Sequence, residues 1–312
     1  MNDSVKRLVV VSPHGFCSGV ARAVATAEAV LAKVCGEPVY CLNEIVHNKQ
    51  VVARLTELGM VFVKSVEAVP EGADLLFSAH GVAPDVVRRA ESRRLRVIDA
   101  TCPFVMKVHA EVRRFAAQGA CVVCIGHRKH EEVIGVAGEA PERVRIVESM
   151  DEAEALDISE GVPVAVVTQT TLGEAQVEPV MAVLRRRFPE MRLPAATDVC
   201  YATRNRQQAV RALADACGRV LVLGSANSSN SQRLVETARA AGAETTLVSD
   251  LEQLDGLALE GVVAVGVTSG ASTPESFLDA AVGVLRARYG FPEPEVMVAV
   301  EETSPTFRLP GF

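Results

Sequence analysis

The chain has 312 residues, of which 49% are hydrophobic and 23% are charged, so a single small domain and a disordered chain are both excluded. The formal net charge of -7 argues against a nucleic-acid partner, because such proteins cluster Lys and Arg on one face. No apolar run reaches the ~18 residues of a membrane span and the first residues lack signal-peptide features. We therefore predict a cytoplasmic protein with no membrane partner.

The first predicted elements are a buried strand within LVVVSPHGFC, which ends at Cys17, and an amphipathic helix, GVARAVATAEAVLAK. The same order of strand, turn, cysteine and helix recurs at Cys102 and at Cys200. These cysteines lie 85 and 98 residues apart, about one α/β domain each. We predict similar α/β units at residues 1–98, 99–196 and 197–290, and a C-terminal strand and tail of no assigned role at residues 291–312.

Short strands rich in Val, Leu and Ile alternate with amphipathic helices between these cysteines. Strands that are buried on both faces and separated by helices are typical of parallel sheets with right-handed crossovers. The predicted fold is α/β, with three units of small parallel sheets in a pseudo-threefold arrangement about a common centre. The strands lie within ADLLFSAHG, ACVVCIGH, VPVAVVTQTT, GRVLVLGS and EGVVAVGVTSG.

Polar side chains gather at the carboxyl ends of these strands, where ligands bind in open parallel sheets. Hydroxyl and amide groups that lie where helices begin exceed what N-capping requires, so they predict an anion site. These groups belong to Ser228, Ser229, Asn230 and Ser272. Four of the six histidines also lie at strand ends, namely His47, His80, His127 and His130.

Eight cysteines in a cytosolic chain are expected to remain thiols. Cys17, Cys102 and Cys200 lie at strand-to-helix turns, and three thiolates without a fourth ligand suit a [4Fe-4S] cluster with one open iron. Zinc is the competing metal, but these positions lack the close CxxC spacing of structural zinc sites. The other five lie in apolar surroundings and are predicted core residues: Cys35, Cys41, Cys121, Cys124 and Cys217.

The segment IGHRKHEE carries the candidate general acid. In an extended strand end, His130 and Glu132 would face the same cavity, and Glu131 would face away from it. We therefore predict Glu132 as the acid, Thr170 as a hydroxyl relay, and a surface role for Glu131.

Nine motifs in chain order, from about Leu8 to Ser272, resemble the LytB/IspH family of 4-hydroxy-3-methylbut-2-enyl diphosphate reductases. They are HGFCSGV, EIVHN, FSAHGV, DATCPFV, IGHRKHEE, TQTTL, DVCYATRNRQ, GSANSSNS and GVTSGAS. The resemblance implies an iron-sulfur oxidoreductase that removes the allylic hydroxyl of its substrate at a [4Fe-4S] cluster. It also implies the products isopentenyl and dimethylallyl diphosphate, the last step of the methylerythritol phosphate route of isoprene biosynthesis, and a ferredoxin- or flavodoxin-type electron donor.

The resemblance assigns a role to each site residue. Cys17, Cys102 and Cys200 are implied cluster ligands, and Glu132 and Thr170 are implied proton-delivery residues. The implied diphosphate-binding residues are His47, His80, His130, Ser228, Ser229, Asn230 and Ser272.

One segment departs from the family pattern. Family members usually read HPEVEGT where this chain has Glu131, Ile134 and Val136 in place of the Pro, Glu and Thr. These changes keep open a paralogue that reduces another phosphorylated allylic alcohol. A non-catalytic iron-sulfur sensor is a further alternative, but the sequence shows no partner surface or nucleic-acid-binding element that a sensor would need. An enzyme resembling quinolinate synthase is another, but its motifs do not fit GSANSSNS.

Overall fold

The computed structural model describes residues 6–34 and 36–311. The chain forms two compact units. The first, here called the five-stranded unit, comprises the chain up to Val20, His47–Arg54 and Tyr201–Thr306. The second, here called the two-sheet unit, comprises Ala21–Val46, Leu55–Cys200 and the chain from Phe307 onward.

Strands and helices alternate along almost the whole described chain. In chain order they are β1 (Arg7–Ser12), α1 (Ser18–Lys33), β2 (Val39–Leu42), α2 (Lys49–Glu57), β3 (Met60–Val63), β4 (Asp74–Phe77), α3 (Pro84–Ser92), β5 (Arg96–Asp99), α4 (Pro103–Ala117), β6 (Cys121–Ile125), α5 (Glu131–Ala137), β7 (Val144–Val147), α6 (Met150–Glu154), β8 (Val164–Thr168), α7 (Glu174–Arg187), α8 (Tyr201–Cys217), β9 (Arg219–Leu223), α9 (Ser229–Ala240), β10 (Glu244–Val248), β11 (Ala264–Ser269), α10 (Glu275–Tyr289) and β12 (Glu295–Val298).

The strands of the described chain form three sheets, and every strand pair in them is parallel. The five-stranded unit has the strand order β10-β9-β11-β1-β12, so its sheet joins strands from both ends of the chain. The two-sheet unit has a four-stranded sheet, β3-β2-β4-β5, and a three-stranded sheet, β7-β6-β8. The predicted α/β class with small parallel sheets is therefore confirmed.

The central strands are buried on both faces, which explains their continuous apolar sequence. In β9, Val220 and Val222 pack into one apolar cluster, whereas Leu221 and Leu223 pack into another. The alternation follows from the two-residue period of a strand. Each sheet face is covered because helices connect successive parallel strands on both sides.

The cysteines at the predicted turns occupy equivalent positions along the chain. Cys17 directly precedes α1, Cys102 is the N-cap of α4, and Cys200 directly precedes α8. Pro103 follows Cys102 at the first helical position, where its fixed φ suits a helix and its missing N–H costs nothing. The strand, turn, cysteine and helix order is thus confirmed at Cys17 and Cys102. At Cys200 the preceding segment has bends and only an isolated bridge, at Arg192, in place of a strand.

The remaining described cysteines fit the predicted core role. Cys41 in β2 and Cys121 and Cys124 in β6 are buried, and burial raises the pKa of the Cys124 thiol. Cys217 ends α8 and is partly buried against an apolar cluster. Cys35 lies outside the described residues.

Residues 6–34 and 36–311 include no helix whose length and hydropathy would allow it to span a bilayer.

Candidate active site

Glu132 and Thr170 form a buried pair in the two-sheet unit. The Thr170 backbone N–H donates to Glu132 Oε1 at 2.7 Å, and the Thr170 hydroxyl donates to Glu132 Oε2 at 2.9 Å. Glu132 is 2% exposed. Glu132 lies in the first turn of α5, and Thr170 lies just beyond the end of β8, so the ends of neighbouring strands of one sheet bring the two together.

The environment of Glu132 favours its protonated form. Burial raises the pKa of this carboxyl, because a charged carboxylate is poorly solvated there. The two Thr170 bonds and the positive potential of His80 and His109 oppose that effect without reversing it. A raised pKa extends the pH range over which the carboxyl keeps a proton that it can give to a bound substrate.

Glu132 does not lie on an extended strand end, because α5 begins at Glu131, and that prediction was wrong. His130 is the N-cap of α5, and its Nδ1 accepts a hydrogen bond from the Glu132 backbone N–H at 3.2 Å. A Glu131 carboxylate in the first turn of a helix is stabilised by the partial positive charge there, which favours the helical start over an extended end. Glu132 is buried as expected, but the reason is its place on the inner face of α5.

Glu131 is not a plain surface residue. Its carboxylate lies 3.1 Å from His80 Nδ1, and both side chains are less than one quarter exposed. The His80 and His130 rings meet edge to face with centroids 5.7 Å apart. His80, His130 and Glu131 therefore form one polar group beside the Glu132 carboxyl.

Backbone hydrogen bonds connect two of the predicted ligand cysteines, Cys102 and Cys200, to the same group. The Cys102 N–H donates to the carbonyl of Ala79, next to His80, at 3.0 Å. The Cys200 N–H donates to the carbonyl of Thr170 at 3.1 Å. Both thiols are half-buried, and neither forms a disulfide.

The five-stranded unit holds the other predicted site residues. The Cys17 N–H donates to the Ala271 carbonyl at 3.2 Å, and the Ala271 N–H donates to Asn230 Oδ1 at 2.8 Å. The Ser272 hydroxyl donates to the carbonyl of His47 at 3.0 Å. One hydrogen-bonded network thus connects Cys17 to Asn230, and an adjacent bond connects Ser272 to His47.

The SSNS segment combines an N-cap with further polar side chains at a helix start. Ser228 is the N-cap of α9, and its Oγ accepts from the Ser231 N–H at 3.3 Å. Ser229 begins α9 and is half-buried, whereas Asn230 and Ser272 are buried. A Cβ at Gly270 would lie 2.2 Å from Ser231 Oγ, so glycine is required for this close packing. The buried Nδ2 of Asn230 makes no hydrogen bond to any described residue.

Comparison with known proteins identifies the family. The family model described as LytB protein matches residues 8–286. The chain belongs to the LytB protein family. A relative from Acidothermus cellulolyticus, named 4-hydroxy-3-methylbut-2-enyl diphosphate reductase, is 48% identical over 306 residues, which cover 98% of this chain and 89% of the relative.

Two further LytB relatives support the same assignment. A Mycobacterium bovis protein, named 4-hydroxy-3-methylbut-2-enyl diphosphate reductase 1, is 51% identical over 86% of this chain and 81% of its own length. The solved structure of the E-1-hydroxy-2-methyl-but-2-enyl-4-diphosphate reductase from Plasmodium falciparum matches with a TM-score of 0.94 and 34% identity, over 98% of this chain and 96% of that one. The family resemblance inferred from the nine motifs is therefore confirmed.

Sequence reasoning missed two buried groups of this LytB protein. Asp198, two residues before Cys200, accepts from Lys107 Nζ at 2.9 Å and from the Thr168 N–H at 3.1 Å. His109 is buried on α4 and contacts Glu139. The acidic residue in TDVC was visible in the sequence, whereas His109 lay within an apolar helix pattern that showed no separate signal.

Proposed function

We propose that this chain is a 4-hydroxy-3-methylbut-2-enyl diphosphate reductase. The substrate takes up two electrons and two protons, its allylic C–O bond breaks, and water leaves. The electron pair and one proton stay on the allyl carbon skeleton, which gives isopentenyl or dimethylallyl diphosphate. The second proton leaves with the hydroxyl as water.

The buried Glu132–Thr170 pair is the observation that carries this proposal. Expulsion of hydroxide is slow unless a proton arrives as the C–O bond breaks, so the reaction needs a protonated acid in a site that excludes water. The Thr170 hydroxyl lies 2.9 Å from Glu132 Oε2. When Glu132 is protonated this bond reverses: Glu132 donates to Thr170 Oγ1, and as that proton transfers, the hydroxyl gives its own proton to the leaving oxygen.

The three thiols suit an iron-sulfur cluster. Cys17, Cys102 and Cys200 each directly precede a helix, and none of them is in a disulfide. Sulfur donors without a carboxylate or imidazole among them fit iron-sulfur ligation. We assign these residues as ligands of a [4Fe-4S] cluster, which when bound supplies the electrons and a Lewis-acidic iron for the hydroxyl.

The diphosphate is bound by uncharged groups and imidazoles in this proposal. Asn230 supplies an amide donor, and the α9 N-terminus supplies partial positive charge. The Ser272 hydroxyl, which donates to the His47 carbonyl in this structure, turns to donate to the diphosphate. The remaining groups assigned to the diphosphate are His47, His80, His130, Ser228 and Ser229. A ferredoxin- or flavodoxin-type protein supplies the electrons, and the reaction takes place in the cytoplasm. The chain divides near residues 98, 196 and 290 into three α/β units, except that β1 joins the sheet of the third.

An anaerobic assay with 4-hydroxy-3-methylbut-2-enyl diphosphate and a chemical reductant tests the function. We expect both five-carbon diphosphates as products from protein that contains iron and sulfide. No turnover by iron-loaded protein would contradict the proposal, and faster turnover of a different allylic diphosphate would favour the paralogue instead.

Cysteine variants test the cluster assignment separately. Serine at Cys17, Cys102 or Cys200 should remove most of the iron, because an alcohol is a poor ligand for these clusters. Serine at the buried Cys124 is the matched control and should leave the iron content near that of wild type. Iron loss confined to the control would overturn the ligand set.

A further inference from the structure

His109 has a defined setting that the proposed reaction does not use. Its side chain is 8% exposed, and Nδ1 lies 2.6 Å from Glu139 Oε1. Arg113, one turn further along α4, donates to the same oxygen at 2.7 Å. Burial disfavours the Glu139 carboxylate, but these two bonds outweigh that effect and lower its pKa. Glu139 is thus a charged anchor that fixes the orientation of the imidazole.

The other edge of the ring lies between two glycines. A Cβ at Gly81 would be 3.0 Å from His109 Nε2, and a Cβ at Gly135 would be 3.4 Å from the same atom. Gly81 follows His80, and Gly135 lies on α5, one turn after Glu132. The imidazole therefore fills the space between the His80 loop and the helix that carries Glu132.

The unpaired nitrogen argues against a role in stability alone. His109 Nε2 is buried and has no hydrogen-bond partner among the described residues. An unsatisfied buried polar atom costs about 1–3 kcal/mol, a cost that an apolar side chain of similar size would avoid. Packing stability is thus a poor explanation for an imidazole at this position.

We propose that His109 is a positioning residue: anchored by Glu139 and wedged between Gly81 and Gly135, it sets the distance between the His80 loop and the first turn of α5. The side chain acts through Glu132 and touches no reacting atom. This inference rests on the proposed function, since it concerns the placement of the proposed acid.

Asparagine is the informative substitution at this site. Its amide N–H can replace the Nδ1 donor to Glu139, but it leaves empty the space that the ring edge occupies beside the two glycines. In His109→Asn we expect kcat to fall about 10- to 100-fold, since misplacement of about 1 Å has effects of this size. Arg114→Gln, which changes an exposed residue paired with Glu111 on the same helix, should leave kcat unchanged.

A second substitution tests the wedge itself. A Cβ at Gly135 would lie 3.4 Å from the ring, an ordinary contact distance, so Gly135→Ala alone should change kcat little. In His109→Asn the same Cβ borders the vacated space and should restore part of the lost kcat. An effect that appears only when the neighbour is changed reveals direct coupling between the two positions. No recovery of kcat in the double variant would overturn the proposal.

Amide hydrogen exchange of the iron-loaded protein gives a readout that does not depend on turnover. In His109→Asn, amides of residues 131–137 should exchange faster, and amides of α7 should not change. An inactive wild type would contradict the proposed function, whereas an active wild type with unchanged exchange and kcat in His109→Asn would contradict this proposal alone.

Discussion

Glu132 and Glu131 are adjacent carboxyls with different surroundings. Glu132 receives two hydrogen bonds from Thr170 and is almost fully buried, whereas Glu131 is partly exposed beside His80. The two carboxyls are therefore suited to different roles: burial raises the pKa of Glu132, which favours a role as an acid.

Replacement of Glu132 by Gln should lower kcat by about 10²-fold or more, because the amide keeps the shape but carries no transferable proton. Iron content should match wild type. Glu131→Gln is the control, and it should cost much less because the amide oxygen can still contact His80. The reverse ranking in anaerobic turnover would show that the acid has been misassigned.

The pH dependence follows from the same raised pKa. The reaction needs the protonated carboxyl, so wild-type kcat should decline as the pH rises through the raised pKa of Glu132, above the usual value of 4.5. The residual activity of Glu132→Gln should lack that decline. A pH profile with the same alkaline limb in both proteins would assign the limb to another group.

Ser272 and Asn230 are the best residues for testing diphosphate recognition. Ser272→Ala removes a hydroxyl and should raise the Kd of the substrate, since a hydrogen bond to a charged group contributes about 1.5–3 kcal/mol. Ser228→Ala is less informative, because loss of its N-cap bond to the Ser231 N–H also costs about 1 kcal/mol of stability. Calorimetric titration with substrate, without reductant, would measure the Kd of each variant. An unchanged Kd in both Ser272→Ala and Asn230→Ala would show that the diphosphate binds elsewhere.

At the scale of elements, the hydrophobic pattern of the sequence predicted the buried strands but not how the loops between strands and helices fold. Continuous apolar runs such as the one in β6 indicate strands buried on both faces, and these strands are present. The start of α5 could not be predicted in this way, because its cap is the imidazole of His130 rather than Ser, Thr, Asp or Asn. The partners of His109 and Asp198 are distant in sequence, so no local pattern could reveal them.

A lysine on α4 forms hydrogen bonds to the loop before Cys200. Lys107 Nζ donates to the carbonyls of Ala196 and Thr197 at 2.8 and 3.2 Å, and to Asp198 Oδ1 at 2.9 Å. Burial raises the pKa of Asp198, and Lys107 opposes that rise. The lysine thus neutralises a buried carboxyl and holds the backbone that leads to a proposed cluster ligand.

Lys107→Met should destabilise the protein by about 3 kcal/mol, because it leaves a buried acid without its cation. We expect a lower Tm and a lower iron content. The double variant Lys107→Met/Asp198→Asn should recover part of the Tm, since no buried charge remains. Lys49→Met, which breaks an exposed pair with Asp250, is the control and should change Tm little. Equal effects of the two methionine variants would contradict this account.

At the scale of the whole molecule, the C-terminal segment contributes residues to both compact units. In the two-sheet unit, the Phe307 ring packs edge to face against the ring of Phe104, which lies two residues after Cys102. The two ring centroids are 6.0 Å apart. Arg22 donates to the carbonyls of Arg308 and Thr101, each at 2.9 Å. The C-terminal segment, to which the sequence assigned no role, therefore packs beside one of the proposed cluster ligands.

In the five-stranded unit, a buried arginine connects Glu302 of the same segment to the turn before Cys17. Arg206 is 1% exposed, and its guanidinium donates to the Gly15 carbonyl at 2.9 Å and to Glu302 Oε2 at 3.1 Å. Gly15 has a φ of +66°, a conformation that most other residues adopt only with strain. Glu302 thus supplies the negative charge that lets Arg206 stay buried and hold this turn.

Glu302→Ala should therefore affect the cluster as well as stability. The variant leaves Arg206 buried without its counter-charge, a loss of about 3–5 kcal/mol, and frees the guanidinium to leave the Gly15 carbonyl. We expect a lower Tm and faster loss of iron when the anaerobic protein is exposed to air. Glu302→Gln keeps an oxygen acceptor and should show a smaller effect, and Glu301→Ala changes the exposed neighbour and should behave like wild type. If Glu302→Ala lowers Tm but loses iron at the wild-type rate, the arginine stabilises the fold without supporting the Cys17 turn.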